Sequence, residues 1–442
     1  MRSLVHRAYA RLRPLLHRMG VLAFARKLLS DRTRTQIAVR LGLGGFGIQA
    51  RTGYQLPQRT KVDPATVNGV NFIGNTEAVL GITEAARQLI MAIETASIPH
   101  QVVPLPDLSM QIPENHQRFT DADAPYSANL MHVNPQEVPF VVQHYLEDIV
   151  TEKYLIAYWH WELATFPAKW HEMTHFFDEI WVASHFIREA IQNTTSTPVV
   201  RVPLPVTAIS PRHSRAELGL PADKFLFLCI FSPGSNIARK NPFGVIDAFE
   251  RAFAKQASHN AVLVVKTHHL DSIYGEHVRE PLREAVQRVG GILIEDSVSK
   301  AKMHSLIANV DCLVSLHRAE GFGLTIAEAM SHGKPVIVTR YAGSMDFTTP
   351  ETAYLVNCTL RQINEDDHRF FPDMSQIYHV GEWWAEPDVD HAARQMRYVY
   401  EHPQDAHQIG QQAQALIVQD FSHAAVGKII ADRLRITAAD RT

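Results

Sequence analysis

From Val67 onward, short apolar runs of strand length alternate with longer stretches of helical periodicity, as expected for parallel α/β sheets whose strands are covered on both faces. VNGVNFI, QVVPL, ANLMHV, YLIAYW, DEIWVAS and VVRVPL are the predicted strands of a first unit, with a helix over about Ile82 to Ser97 following the first of them. Residues 204–223, holding Pro205, Pro211 and Pro221, read as a linker. FLFLCIF at 225–231 opens a second unit that continues with AVLVVKT, GILIE, DCLVSL and PVIVT. WWAEPD then leads into a helix at about Val389 to His402, and two further helices close the chain. The fold class predicted is α/β, with two doubly wound, Rossmann-like domains over 63–205 and 206–420 facing a crevice, and ligands at the carboxyl ends of the strands. Residues 1–62 form a separate basic extension and linker, and 421–442 a terminal helical segment.

The densest chemistry lies between Glu320 and Val338, EGFGLTIAEAMSHGKPVIV. The apolar run Asp311 to Leu316 precedes it, Gly321 and Gly323 break that run, and an apolar-periodic helix follows. The backbone N–H groups of Phe322, Gly323, Leu324 and Thr325 at such a helix start point beyond the strand, where the helix dipole favours an anion. A diphosphate is the natural guest. Glu320 and Glu328 flank this turn, and a fully helical path between them would place their positions about 12 Å apart. That exceeds the roughly 5 to 9.5 Å used by paired carboxylates in glycoside hydrolysis. It suits two grips on an elongated ligand with phosphate in the middle, which describes a nucleotide sugar.

This block resembles the donor site of retaining glycosyltransferases of family 4, which have the GT-B fold and an E-x7-E motif starting with EGFG. The longer context SLHRAEGFGLTIAEAMSHGKPVIVTRYAGSMDF, from Ser315 to Phe347, is similar to a bacterial subgroup acting on cell-surface polysaccharides. The similarity runs from about Val67 to the C-terminus. It implies transfer of a sugar from a nucleotide-diphosphate-sugar donor to an acceptor hydroxyl, with retention of configuration, by a front-face reaction. Glu320 would hold the donor sugar and Glu328 the ribose. In SPGSNIARKNP, residues 232–242, Lys240 matches a family lysine that binds the donor diphosphate and stabilises the leaving group. The family's early arginine has no clear counterpart there, since Ser232 stands near its place, and Arg239 is the candidate replacement. In GNTEAVLGITEAAR, Gly81 best matches a glycine that lets a loop approach the phosphates. His160, at the end of YLIAYWHWE, matches by position a histidine near the transferred sugar. His132 is a weaker candidate, and His317 and Arg318 are expected to line or brace the site. The last helix of the family crosses back to the first domain.

Three widely spaced cysteines, Cys229, Cys312 and Cys358, form neither a disulfide framework nor a zinc spacing and favour a reducing compartment. No apolar run reaches eighteen residues, and arginines interrupt the N-terminus, so neither a membrane span nor a signal peptide is read. A cytoplasmic location is expected. No cofactor or metal is required, because Lys or Arg with helix amides can neutralise a diphosphate. The expected partners are the nucleotide sugar and a glycan or lipid-linked acceptor, with no nucleic acid. Rival readings are another GT-B enzyme, such as a nucleotide-sugar epimerase, a catalytically silent nucleotide-sugar-binding scaffold, and a lipid-surface binding protein that acts through its basic N-terminus.

Charge changes the picture at one end. Residues 1–51 hold eleven Lys or Arg against the single acid Asp31, while the whole chain carries −3. Leu4, Ala8, Leu12, Leu15, Met19 and Leu22 recur at helical spacing there, with Pro14 starting a new helix or kinking one. Two readings stay open: a segment drawn to an anionic membrane surface, on the inner face of the cell membrane, or one packed on the protein's own domain. Gly42, Gly44 and Gly47 spell G-x-G-x-x-G, yet no strand precedes them and no helix follows, so this run reads as a linker.

Overall fold

The computed structural model describes residues 54–435, apart from 61, 78–80, 107–117, 254–258, 269, 271–275 and 369–376. The basic segment 1–51 and the GLGGFG run lie outside the described residues. The chain forms two compact units, one of residues up to Ala86 with Pro99–Tyr158 and Phe176–Asp178, the other of Arg87–Ile98, Trp159–His175 and Glu179 onward.

The first sheet holds β1 (Val70–Gly74), β2 (His100–Pro104), β3 (Ala128–His132), β4 (Tyr154–Trp159), β5 (Glu179–Val182) and β6 (Val199–Arg201), with helix α1 (Gly81–Thr95) after β1 and α2 (His185–Gln192) after β5. Its order is β2-β1-β3-β4-β5-β6, and the strands run parallel. Strands β1, β3 and β4 are buried at every position, which is why they read as continuous apolar runs. The polar exceptions, Asn71 and Asn129, face each other in register and share a hydrogen bond of 2.8 Å, so neither amide is left unsatisfied in the core.

The second sheet comprises β7 (Phe225–Ile230), β8 (Ala261–Lys266), β9 (Ile292–Ile294), β10 (Cys312–Ser315), β11 (Val336–Thr339) and β12 (Tyr354–Val356). Its helices are α3 (Ile237–Lys240), α4 (Pro242–Phe253), α5 (Glu276–Arg288), α6 (Lys300–Asn309) and α7 (Leu324–Ser331). The order β12-β11-β10-β7-β8-β9, all parallel, is the doubly wound arrangement in which connections leave in opposite directions on either side of the β7/β10 pair. Phe227, Phe249 and Phe253 centre the core between this sheet and α4.

An antiparallel ribbon, β13 (Cys358–Gln362) with β14 (Trp383–Pro387), precedes α8 (Val389–Glu401), α9 (Pro403–Asp420) and α10 (His423–Leu434). The helix after WWAEPD and the two closing helices match the sequence reading. Strand β12 and the ribbon do not appear in it: CTLRQ is half-exposed and polar, and pairing with distant residues makes it a strand. Helix α10 lies against α1, where a Cβ on Gly427 would stand 2.4 Å from the Ala92 carbonyl. Arg433 of α10 pairs with Glu179 of β5 at 2.7 Å, and His423 meets Gln88 at 2.7 Å.

Candidate active site

The switch point of the second sheet places two loops side by side, the one after β7 and the one after β10. After β7, the Asn236 side chain accepts from the N–H groups of Ala238 and Arg239 at 2.9 and 3.2 Å and so starts the single turn α3. Asn241 then adopts φ 53°, and its side chain accepts from Gly244 N–H while donating to the Leu316 carbonyl at the end of β10. The sequence places Arg239 and Lys240 in a loop just before a helix; the structure places them in the last turn of α3, because Asn236 and Asn241 supply a cap at each end.

After β10, the chain reaches Glu320 and turns through Gly321 and Gly323. Gly323 sits at φ +95°, a conformation that costs a side chain dearly, and forms the N-cap of α7. No side chain among the described residues caps this helix, and Ile326 and Ala327 already bond back to the Gly323 carbonyl. The amides of Leu324 and Thr325 therefore form its open first turn. Phe322, expected to contribute only its amide, turns its ring into a buried cluster with Phe347 and Phe421.

Glu320 accepts a hydrogen bond from the Lys240 ammonium, and Arg239 Nη1 stands 3.7 Å from the same carboxylate oxygen. Burial alone would raise the Glu320 pKa, but Lys240 and Arg239 outweigh it and bring it down to about 2. Glu320 is thus a carboxylate at neutral pH and has no proton to give as a general acid. Burial lowers the Lys240 pKa while Glu320 opposes the shift. The Arg239 guanidinium, buried to 3% exposure, donates to the carbonyls of Ser235 and Ala319 at 3.1 and 2.9 Å. Its charge thereby ties the β7 loop to the β10 loop.

His317 and Arg318 brace this turn. The His317 ring is fully buried between the Ser315 hydroxyl and the Tyr341 carbonyl, both at 3.1 Å, and burial pushes its pKa down to about 4. Arg318 makes a two-pronged pair with Glu386 at 2.8 Å and donates to the Ala238 carbonyl. Behind Glu320, Gly343 donates its N–H to the Glu320 carbonyl at 2.8 Å. Ser184 donates to the Gly321 carbonyl at 2.6 Å.

Glu328 lies one and more turns along α7, with its carboxylate 4.0 Å from His304 Nε2 of α6. His304 Nδ1 meets His332 Nε2 at 2.9 Å, so one proton lies between these two rings, and burial holds the His332 pKa down to about 4. His160 follows β4 directly, and burial pushes its pKa down to about 4, leaving a neutral imidazole able to bond a hydroxyl. His132 is a core ring stacked between Phe72 and Tyr158. Gly81 opens α1, and a Cβ there would meet nothing within 4 Å, so local packing does not demand a glycine.

Two residues at the site escape the sequence reading. Glu162, two positions past His160, accepts from the Tyr378 hydroxyl at 2.9 Å and stands 3.8 Å from Arg239 Nη2. Tyr378 lies 5.9 Å beneath the Arg239 guanidinium. For Glu162 the available signal was its place at the end of the YLIAYWHWE run, just past His160; Tyr378, between the strands of the ribbon, carries no local signal. A cavity of about 270 Å³ also opens beside α3, lined by Ala238, Asn241, Arg318 and Arg361 among others, but neither Lys240 nor Glu320 lines it. Among the described residues no group of three or more His, Cys, Asp or Glu could hold a metal, and no helix is long and apolar enough to cross a membrane.

Residues 234–363, the segment that carries Arg239, Lys240, Glu320 and Glu328, match the family described as glycosyl transferases group 1. No curated protein matches the chain. Among solved structures, HepE from Anabaena in complex with UDP-glucose is 16% identical, with a TM-score of 0.56 over 84% of this chain and 100% of its own. Sucrose-phosphate synthase from Thermosynechococcus elongatus is 14% identical, with a TM-score of 0.59 over 83% of this chain and 98% of its own. A glycosyltransferase from Rickettsia africae is 12% identical, with a TM-score of 0.59 over 84% and 99%. The fold is GT-B, and residues 234–363 are similar to glycosyl transferases group 1.

Proposed function

We propose that the protein is a retaining, family 4-like glycosyltransferase that moves a sugar from a nucleotide-diphosphate-sugar donor to an acceptor hydroxyl, in bacterial polysaccharide or glycolipid assembly on the cytoplasmic side of the membrane. One observation carries the reading: at the switch point of the second sheet, a lysine held on a carboxylate stands beside a helix start with no side-chain cap. Such a place offers an anion both a mobile cation and fixed amide donors. The UDP-glucose complex of HepE supports a nucleotide sugar as the guest.

In this reading Lys240 leaves Glu320 for the donor diphosphate, and the Leu324 and Thr325 amides seat its oxygens. Glu328 accepts from the ribose hydroxyls. Glu320 accepts from a sugar hydroxyl, and His160 accepts from or donates to another. As the bond from the anomeric carbon to the diphosphate oxygen breaks, the acceptor oxygen bonds that carbon on the same face, and the acceptor's proton passes to the departing phosphate. Lys240 and the amides stabilise charge as it develops on the leaving group, a role fixed dipoles fill well.

A thermal-shift screen with UDP, GDP, ADP and TDP tests this. One nucleotide is expected to raise the unfolding temperature, since ligand at a hundredfold over its Kd adds about 2.7 kcal/mol to the folded state. Lys240→Ala should shrink that rise. No shift with any of the four would overturn the reading.

A further inference from the structure

We propose that Glu162 and Tyr378 form a subsite that reads hydroxyl groups of the donor's sugar; the inference rests on the donor reading above. Its basis is the way the Arg239 guanidinium is shared. Nη1 faces Glu320 at 3.7 Å and Nη2 faces Glu162 at 3.8 Å, so two carboxylates flank one planar cation from different terminal nitrogens. Neither distance is a hydrogen bond. Arg239 Nε and Nη1 donate to the Ser235 and Ala319 carbonyls, and neither carboxylate accepts a hydrogen bond from the guanidinium, so both keep open acceptor positions.

Glu162 is held for such work. Trp161, before it, is buried at 2% exposure, donates its indole N–H to the Thr165 carbonyl at 2.9 Å and packs edge-on against Trp170. The Trp161 carbonyl comes so close to Gly321 that a Cβ there would lie 2.6 Å away, which ties the Glu162 turn to the Glu320 turn. The Glu162 side chain keeps 23% of its surface open, against 14% for Glu320 and 20% for Lys240. Glu162 is thus less enclosed than either Lys240 or Glu320. Tyr378, buried to 3% exposure, fixes one Glu162 oxygen by its hydrogen bond, and the other oxygen remains able to accept. Carboxylates locked by their neighbours discriminate hydroxyl patterns, because a sugar lacking the matching hydroxyl leaves a desolvated acceptor unpaired.

The test compares Kd for the nucleoside diphosphate with the largest thermal shift and Kd for its glucose, galactose, mannose and N-acetylglucosamine conjugates. Calorimetry is run on the full chain, on Glu162→Gln and on the milder Tyr378→Phe. A sugar subsite predicts that the diphosphate Kd stays within twofold of wild type in both variants. The conjugate that wild type binds best weakens by about tenfold or more in Glu162→Gln and by a smaller factor in Tyr378→Phe. A ratio of conjugate to diphosphate Kd that is unchanged in both variants would overturn the subsite, whether the two constants move together or stay put. If wild type binds no nucleotide, the donor reading itself fails, a result distinct from an unchanged ratio.

Discussion

Glu320 shows how a single side chain can carry opposite charges of evidence for stability and for chemistry. Burial pushes its pKa up, yet Lys240 and Arg239 bring it to about 2, well under the roughly 4.3 of an unfolded glutamate. A depressed folded-state pKa adds stability above the unfolded value and loses it as the pH falls toward about 2. The stability gap between wild type and Glu320→Gln in urea is therefore expected to be largest near pH 6 and to narrow, by on the order of 1–3 kcal/mol, on acidification to pH 3. A gap that is flat across this range would show that Lys240 does not hold the carboxylate. The same variant should transfer sugar roughly a hundredfold to a thousandfold more slowly than wild type, the range for losing one group matched to the transition state. The sequence pointed to Glu320 and Glu328 because turn glycines and acids stand close along the chain, and to Lys240 because it precedes a helix in a loop that resembles the family's. It could not point to the pairing of Arg239 with two carboxylates, since Glu162 and Glu320 are far apart in sequence and only the packing of Trp161 on Gly321 brings their turns together.

At the scale of elements, the parallel strands were legible because burial on both faces leaves uninterrupted apolar runs, as in FLFLCIF and YLIAYW. Elements that owe their form to distant partners were not. The β13–β14 ribbon pairs Cys358 with Pro387 across a long excursion, and that excursion delivers Tyr378 to Arg239. The one-turn helix α3 was hidden for a different reason, since the Asn236 side chain at one end and the left-handed backbone of Asn241 at the other define it, not a periodic apolar face. The turns after β10 and β11 depend on each other in a way that gives a prediction. A Cβ on Gly343 would lie 1.8 Å from the Gly321 carbonyl, and backbone cannot swing aside as a side chain can. Gly343→Ala must push the Glu320 turn away from its place, breaking the hydrogen bond from Gly343 N–H to the Glu320 carbonyl. A loss of about 1–3 kcal/mol is expected from such overpacking, read as a lower unfolding temperature together with weaker nucleotide binding. A variant with wild-type values of both would contradict this account of the turn.

For the molecule as a whole, charge is distributed unevenly, and this decides the last prediction. Residues 1–51 hold eleven basic side chains against one acid, although the full chain carries −3. Anionic lipid attracts each Lys or Arg near its surface by about 1 kcal/mol, and salt screens that attraction over roughly 8 Å at physiological strength. Several such residues acting together are expected to draw the protein to an anionic membrane surface. The full chain is thus expected to sediment with phosphatidylserine vesicles at low salt, to be released by 1 M salt, and to ignore phosphatidylcholine vesicles. A chain lacking residues 1–51 should stay in the supernatant with both and unfold at the same temperature as the full chain. The competing arrangement, with this segment packed on the protein's own domain, predicts a lower unfolding temperature for the shortened chain and equal recovery of both chains with either lipid. The two measurements together separate attraction to a surface from internal packing, because only packing contributes to stability in the absence of lipid.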